Sequence, residues 1–459
     1  MASAQVPLSP SSSKRSRSRD STRSGTNSSL NTPAANTPFI TPSVSTHSLV
    51  IPTSTPGTPS NGDHFVPDGT PYPAFLRLSR GDLNARWNHL EIAQLERLRD
   101  GVYAQANGSE QPYEYARCNT EEYAPRNRYA NVDPYQANRV KLEVPEGHND
   151  YINASPIVLV TTKSQTPLKY IATQGPKGDT SSHIWRMIWK ENQDPAVVVM
   201  LTQTHETGRE KCWPYYPQAP SSPDMRINEQ DEFQDGFVHN LHLVNLFHDD
   251  AARSEVREID MTSDEGTESR KIWHLLFAGW PDFSAPEGAD RAALLKLVDM
   301  SRAKNGDNST NPRIVHCSAG IGRSGTFIAL DWLLQDLEEG ALDETPDSID
   351  PIVAVIEKLR DQRAGMVQSK NQFLFLYNAL RERWRDRWIV NHPADATKLG
   401  ISRTHTPAPD SEPALKRQKS MLGGNEDTTS GSEAIPPPDR AALEAELAAS
   451  DMTYEQGKT

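Results

Sequence analysis

The stretch VHCSAGIGRSGTF, residues 315–327, decides the reading of this chain. It joins two regular segments. RIVHCSA (313–319) reads as a buried strand, and SGTFIALDWLLQDLEEG (324–340) reads as a helix stopped by Gly340. The loop between them is built from small residues. Ala319 with Gly320, Gly322 and Gly325 lets backbone N–H groups crowd around one point, with Ser318 and Ile321 completing the ring. The start of the helix adds positive potential there. Arg323 adds a planar fork that matches phosphate oxygens in pairs. Together these make a cradle for a dianion. Cys317 lies at its floor, where the field that holds phosphate also holds a thiolate, the nucleophilic form of cysteine. His316 tunes that sulfur through its neighbouring hydrogen bonds.

Working outward, VVVMLTQ (197–203) reads as a second buried strand, and PIVAVIEKLRDQR (351–363) as a helix with Pro351 in its first turn. Trp87, Leu90, Ile92, Leu95 and Leu98 recur at three- and four-residue spacings, an amphipathic helix. SRAKNGDNSTNP (301–312) reads as a polar surface loop. Strand-like and helix-like runs alternate from about residue 74 to 391. This is the pattern of a single α/β domain with a highly twisted mixed sheet flanked by helices.

The run HCSAGIGRSG, residues 316–325, resembles the signature loop of cysteine-dependent protein tyrosine phosphatases, H-C-S-A-G-I-G-R-[ST]-G, at every position. Further similarity extends over most of residues 75–390. The resemblance implies a tyrosine-specific, non-receptor enzyme, and the flanking low-complexity tails resemble those of fungal members. It implies roles residue by residue. Trp280-Pro281-Asp282 resembles the mobile acid loop, with Asp282 as general acid and then base, and Phe283 as a lid wall. Gln368 in GMVQSKNQ matches the glutamine that positions water, supported by Gln372. Ser324 is expected to stabilise the departing thiolate, to cap the following helix, or both. NRYANV (127–132) resembles the phosphotyrosine-recognition loop, in which Tyr129 stacks on the substrate ring and deepens the cleft. Asn131 stands where an acidic residue often grips the substrate backbone, and Ser284 where glycine is frequent. HETGREKC (205–212) matches a loop that sets Glu206 against Arg323 and Lys211 near phosphate or Asp282. DYINAS (150–155) and TQGP (173–176) match structural segments. A dual-specificity phosphatase is disfavoured by the Asn-Arg-Tyr segment and the domain size. A catalytically dead scaffold would lack the acid or the nucleophile, and both are present.

Composition bounds the rest. The chain has 459 residues, 35 of them proline, with 36% hydrophobic residues and a net charge of -13. Its mean hydropathy is -0.67. That balance calls for a folded core with polar tails, residues 1–73 and 392–459 being read as disordered. Acidity argues against nucleic acid as a partner. With no apolar run long enough to span a bilayer and no apolar leader, the expected location is cytoplasmic, with nuclear access left open. The odd cysteine count (Cys118, Cys212, Cys317) suits a reducing compartment, and Cys118 and Cys212 read as structural. No metal-ligand spacing or nucleotide fingerprint occurs, so no metal and no cofactor is expected. The N-terminal tail carries Ser9, Thr32, Thr37, Thr41, Thr55, Thr58 and Thr70, each followed by proline, as candidate sites for proline-directed kinases. The resemblance to fungal members suggests MAP kinases among the phosphotyrosyl substrates. Basic segments at 14–19 and 416–419 read as docking, nuclear-localisation or solubilising elements, Ser420 as a basophilic-kinase site, and 439–451 as a marginal helix.

Overall fold

The computed structural model describes residues 69–106, 114–281 and 284–402. The described residues form ten strands: β1 (Ala154–Val160), β2 (Pro167–Thr173), β3 (Ala196–Met200), β4 (His205–Glu206), β5 (Arg209–Glu210), β6 (Asp224–Ile227), β7 (His239–Asp249), β8 (Ser254–Ser263), β9 (Ser269–Phe277) and β10 (Arg313–His316). The helices are α1 (Arg80–Ala106), α2 (Ser181–Glu191), α3 (Gly288–Asn305), α4 (Gly322–Glu338), α5 (Pro351–Gln362), α6 (Lys370–Asn391) and α7 (Pro393–Leu399). Eight strands form one mixed sheet in the order β1-β2-β10-β3-β9-β8-β7-β6, and β4 and β5 form a separate hairpin. The centre of the sheet (β2, β10, β3, β9) is parallel, and both wings are antiparallel.

The central strands are apolar along their whole length because both faces are covered. On β3, Val197 and Val199 enter the core shared with α1, α3, α4, α5 and α6, while Ala196, Val198 and Met200 enter the core beneath α2. On β10, Val315 belongs to the first core and Ile314 to the second. This alternation sends Cys317 toward α4 and His316 to the opposite side. Helix starts follow local chemistry. The Asp350 carboxylate accepts the N–H groups of Ile352 and Val353, at 3.0 and 3.3 Å, ahead of Pro351. Ser369 and Gln372 form a reciprocal capping box on α6. Helix α4 has no side-chain cap, so no capping side chain takes the N–H groups of its first turn, which follows the Cys317 loop directly.

The mixed α/β sheet agrees with the expected fold class, and several local readings change. The strand in 313–319 stops at His316, because the chain must turn at Cys317 to enter α4. Residues 301–305 are helical, the last turn of α3, and Ser301 and Asn305 are buried. Their side chains are used internally: Ser301 Oγ accepts from Arg313, and Asn305 Nδ2 donates to the Asn311 carbonyl. On α1, Trp87 and Leu90 face the core, but Ile92 and Leu95 are 57% and 66% exposed, so the apolar stripe is shorter than the spacing predicts. Ser324 is inside the first turn of α4, behind Ile321 as the flanking residue, and is not a cap.

The fold also extends beyond the expected limits of 74 and 391. Tyr72 packs on Trp384 with ring centroids 5.3 Å apart, and Ala396 on α7 and Ile401 beyond it are buried. Thr70 is only 2% exposed, so of the Ser/Thr-Pro pairs this one is shielded from kinases in the fold. A side chain built on Gly69 would touch Leu399 and Ile401, so the two ends of the described chain meet. The other Ser/Thr-Pro pairs, both basic segments, Ser420 and residues 439–451 lie outside the described residues. No helix among the described residues is long and apolar enough to cross a membrane.

Candidate active site

All four parallel strands end at one edge of the sheet, where open α/β sheets gather ligands. The Gln174 segment follows β2, the Cys317 loop follows β10, the β4–β5 hairpin follows β3, and the Trp280 segment follows β9. The expected site residues therefore come from segments distant in sequence and adjacent at this edge.

Cys317 is 4% exposed, and its Sγ accepts the backbone N–H of Gly320 at 3.2 Å. Gly320 has φ 72°, and a Cβ there would stand 2.2 Å from the Thr173 carbonyl oxygen, so the turn admits only glycine. Arg363 supports the loop from within. Its fully buried guanidinium donates to the Gly320 and Ala319 carbonyls, Ser155 Oγ and Asn153 Oδ1 at 2.7–3.2 Å. Burial lowers its pKa to about 10, which still leaves it charged at neutral pH. The Ile321 carbonyl accepts from both Gly325 and Val367, tying α4 to the segment that carries Gln368. Side chains of Gln368 and Gln372 lie over Gly322, where an added Cβ would meet them at 3.0 and 3.1 Å. Gln372 is buried and its Oε1 accepts the Gln368 N–H at 3.0 Å, while Gln368 itself is exposed.

Arg323 is gripped from the hairpin. Its Nη1 and Nη2 donate to the two Glu206 oxygens at 2.6 and 2.7 Å, and Nη1 also donates to the Leu201 carbonyl. Thr207 and Gly208 both have positive φ, 49° and 78°, the geometry of a tight two-residue hairpin turn that delivers Glu206. Ser324 Oγ is buried with no hydrogen-bond partner among the described residues. Lys211 is half-buried beside the loop, and its carbonyl accepts from Ser318 Oγ at 2.9 Å.

Behind the sulfur, the hydrogen-bond directions can be assigned. His316 is buried, and desolvation lowers its pKa to about 4, so its ring is neutral. Its Nδ1 lies 3.2 Å from the Cys317 carbonyl, which can only accept, so Nδ1 carries the proton. Nε2 then accepts from the Tyr215 hydroxyl at 2.7 Å. Tyr215 in turn accepts from His274 Nε2 at 3.1 Å. Burial holds His274 well below the ordinary histidine range, which leaves its Nδ1 a bare acceptor, and that atom has no described partner. The relay His274–Tyr215–His316 thus ends on the nucleophile's own backbone.

On the other wall, the Tyr129 hydroxyl bonds to Ser318 Oγ at 2.8 Å. The Gln174 amide pins the Tyr129 loop twice, accepting from Arg128 N–H at 2.8 Å and donating to the Arg126 carbonyl at 2.7 Å. The Asn131 side chain is exposed, and its carbonyl accepts from Arg117. Asp282 and Phe283 lie outside the described residues. Their neighbours are anchored: Trp280 is buried, donates to the Ser284 carbonyl at 2.9 Å and packs near Phe375. Cys118 and Cys212 are also buried. Desolvation pushes Cys118 up to about 11 and Cys212 further, so both are inert thiols at neutral pH.

Sequence reading missed Arg363, Tyr215 and His274. Arg363 had one weak signal, an arginine directly after a helix end. Tyr215 and His274 had none, since an aromatic and a histidine in apolar runs read as ordinary core.

A buried cysteine on an N–H-lined loop at a helix start, with a fixed arginine six residues on, defines a cysteine-based phosphoryl-transfer site. Comparison with known proteins narrows the class. The model of the family "Protein-tyrosine phosphatase" matches residues 123–382. Tyrosine-protein phosphatase 1 of Saccharomyces cerevisiae is 37% identical over 287 residues, covering 56% of this chain and 81% of the relative. Tyrosine-protein phosphatase 2 of Schizosaccharomyces pombe is 34% identical, covering 56% of this chain and 33% of the relative. A solved structure of PTPN18, concerned with distinct HER2 tyrosine phosphorylation sites, superposes with a TM-score of 0.52 at 28% identity, covering 66% of this chain and 94% of that one. The chain belongs to the protein-tyrosine phosphatase family, and its activity is that of a protein-tyrosine phosphatase.

Proposed function

We propose that the chain hydrolyses phosphotyrosine through a phosphocysteine intermediate on Cys317. The observation that carries this is the Cys317 sulfur on the Gly320 N–H, at the uncapped start of α4, with Arg323 locked to Glu206. The thiolate attacks phosphorus, the S–P bond forms, and the P–O bond to the tyrosine breaks. Asp282 gives its proton to the leaving phenolate. Water then attacks phosphorus, Asp282 takes its proton back, and the S–P bond breaks. Gln368, held by Gln372, orients that water. Arg323 and the loop N–H groups of residues 318–322 bind the phosphoryl oxygens as charge develops. The unpartnered Ser324 hydroxyl is the donor for the departing thiolate. Lys211 assists phosphate or Asp282, and Phe283 closes over the substrate. Tyr129 sets a depth that a phosphotyrosine spans and a phosphoserine does not, with Asn131 beside the peptide backbone.

The phosphatase domain takes in the expected 74–391 and reaches the described limits of 69 and 402, with a Ser/Thr/Pro-rich regulatory tail before it and a polar tail after it. We further propose a cytoplasmic enzyme with access to the nucleus that restrains MAP kinase signalling. The support is the density of Ser/Thr-Pro pairs in the N-terminal tail, suited to feedback by proline-directed kinases. The test is substrate trapping. Asp282→Ala protein is used to capture proteins from lysate, followed by elution with vanadate. A released phosphotyrosyl band of MAP kinase size supports both readings. Full wild-type turnover in Asp282→Ala removes that residue as the acid, and a released band of another size removes MAP kinase as the substrate.

A further inference from the structure

Arg126 directly precedes the recognition segment and stands three residues before Tyr129. Its Nη1 donates to the Asn149 and Tyr151 carbonyls at 2.9 and 2.7 Å, and its own carbonyl takes the Gln174 amide. Carbonyl oxygens orient a guanidinium without neutralising it. Burial pushes the Arg126 pKa down, and the leading opposing influence is the carboxylate of Glu232. That residue comes from a distant part of the chain, the 228–238 loop between β6 and β7.

The loop is built to be rigid. Asn228, Asp231 and Gln234 all adopt positive φ, 54°, 47° and 54°, and Gly236 adopts 76°. Non-glycine residues hold this conformation only when their surroundings compel it. Here the Asp231 carboxylate gathers the N–H groups of Asp235 and Gly236. Asn228 accepts from the Glu232 N–H at 3.0 Å and donates to the Phe237 carbonyl at 2.7 Å. Asp235 clamps Arg186 of α2 with two bonds of 2.6 and 2.8 Å. From this base two side chains reach toward the recognition segment. Glu232 bonds His183 Nε2 at 2.8 Å and pairs with Arg126 at 3.7 Å. Phe233, 5% exposed, lies beneath the Arg126 and Arg186 guanidinium groups, 5.9 and 4.9 Å from its centroid.

We propose that Glu232, backed by Phe233, is a positioning residue for substrate recognition. It holds Arg126, and through Arg126 and Gln174 it fixes the height of the Tyr129 ring over the Cys317 loop. The path is continuous: His183 and Glu232, then Arg126, then Gln174, then Arg128 and Tyr129, ending on Ser318 beside the nucleophile. Glu232 touches no reacting atom. Its effect falls on binding of the phosphotyrosyl ring and not on the chemical step. The inference rests on Tyr129 lining the substrate cleft.

The test compares three variants of the full chain on a phosphotyrosyl peptide. Glu232 is partly exposed, so Glu232→Ala folds. It is expected to raise KM about three- to tenfold with kcat changed less than about twofold, a loss on the scale of one charge-assisted contact. Glu232→Gln, which keeps an acceptor for His183 but loses the charge facing Arg126, is expected to fall between. Asp235→Asn loosens the clamp on α2 without touching Arg126. It is expected to lower the thermal midpoint while leaving KM at the wild-type value. An unchanged KM in Glu232→Ala overturns the proposal. A KM rise matched by Asp235→Asn also overturns it, because loop stability alone would then explain the effect. Turnover of an aryl phosphate by wild type and Cys317→Ser reports on the catalytic assignment separately, so the two readings fail independently.

Discussion

The Cys317 loop and the Tyr129 loop meet at the Ser318 hydroxyl, and they are held in opposite ways. The Cys317 loop works through its main chain. Glycine backbones make the close approaches, the Gly320 N–H points at the sulfur, and the Ala319 and Gly320 carbonyls are taken by one arginine, Arg363. The Tyr129 loop works through side chains: Gln174 reaches in from the end of β2, and Arg126, directly before the loop, is met by Glu232 from the 228–238 loop. A main-chain site needs small residues in an unbroken run. A side-chain site needs polar residues that only the tertiary fold brings together. The first arrangement suits chemistry that must stay fixed, and the second suits recognition that can be retuned one residue at a time.

The largest effect that separates the two loops is expected from Cys317→Ser. Turnover should fall by at least about 10⁴-fold while phosphotyrosyl binding persists, since the cradle remains. A fall of less than about tenfold would take Cys317 out of the reaction. Next, Arg363→Met strands four acceptors beneath the Cys317 loop. A stability loss of about 3 kcal/mol or more is expected from urea unfolding. An unshifted midpoint would show that the main-chain loop supports itself.

Acid should act on the same loop through His316. The unfolded ring binds a proton below 6.5, while the folded ring refuses it until about 4. Stability should therefore be level above pH 6.5 and decline as pH falls through that window, by roughly 3 kcal/mol at the limit. Urea midpoints measured across this range should fall less steeply in His316→Gln. Equal slopes in the two proteins would contradict the assignment of a neutral buried ring.

Glu206→Gln should cost about tenfold in kcat/KM, roughly 1.4 kcal/mol, as Arg323 loses a charged partner. Wild-type kinetics in that variant would mean that Leu201 and the phosphate orient Arg323 unaided. The smallest effect is expected at the seam. Tyr129→Phe removes only the bond to Ser318, worth about 0.5–1.5 kcal/mol, and should raise KM a few-fold. A fall in kcat with KM unchanged would make the seam part of the chemical machinery.

How much could be read from sequence follows the same division. The glycines around Cys317, Arg323 after it and the strand-to-helix switch are contiguous, so their meaning is local. Glu206 was legible because a tight turn carries it beside matching neighbours. Arg363, Tyr215, His274 and Glu232 were not, because each acts through a contact across the fold while looking like core or surface in its own segment. The same limit applied at the domain edges. Thr70 and residues 393–401 have polar, proline-containing sequences, and only packing against each other and against α6 shows them as part of the fold. Ile92 and Leu95 erred the other way, matching a helical period on a face that nothing described covers.

The meeting of Gly69 with Leu399 and Ile401 bears on how the polypeptide can be rewired. Adjacent ends mean that a short glycine-serine tether could close the described chain into a ring without stretching it. New termini could then be opened at an exposed tip such as the turn at Gly266, between β8 and β9. A permuted enzyme made this way would keep every contact of both loops in place. Its two appendages would then be free to be moved, exchanged or removed independently of catalysis.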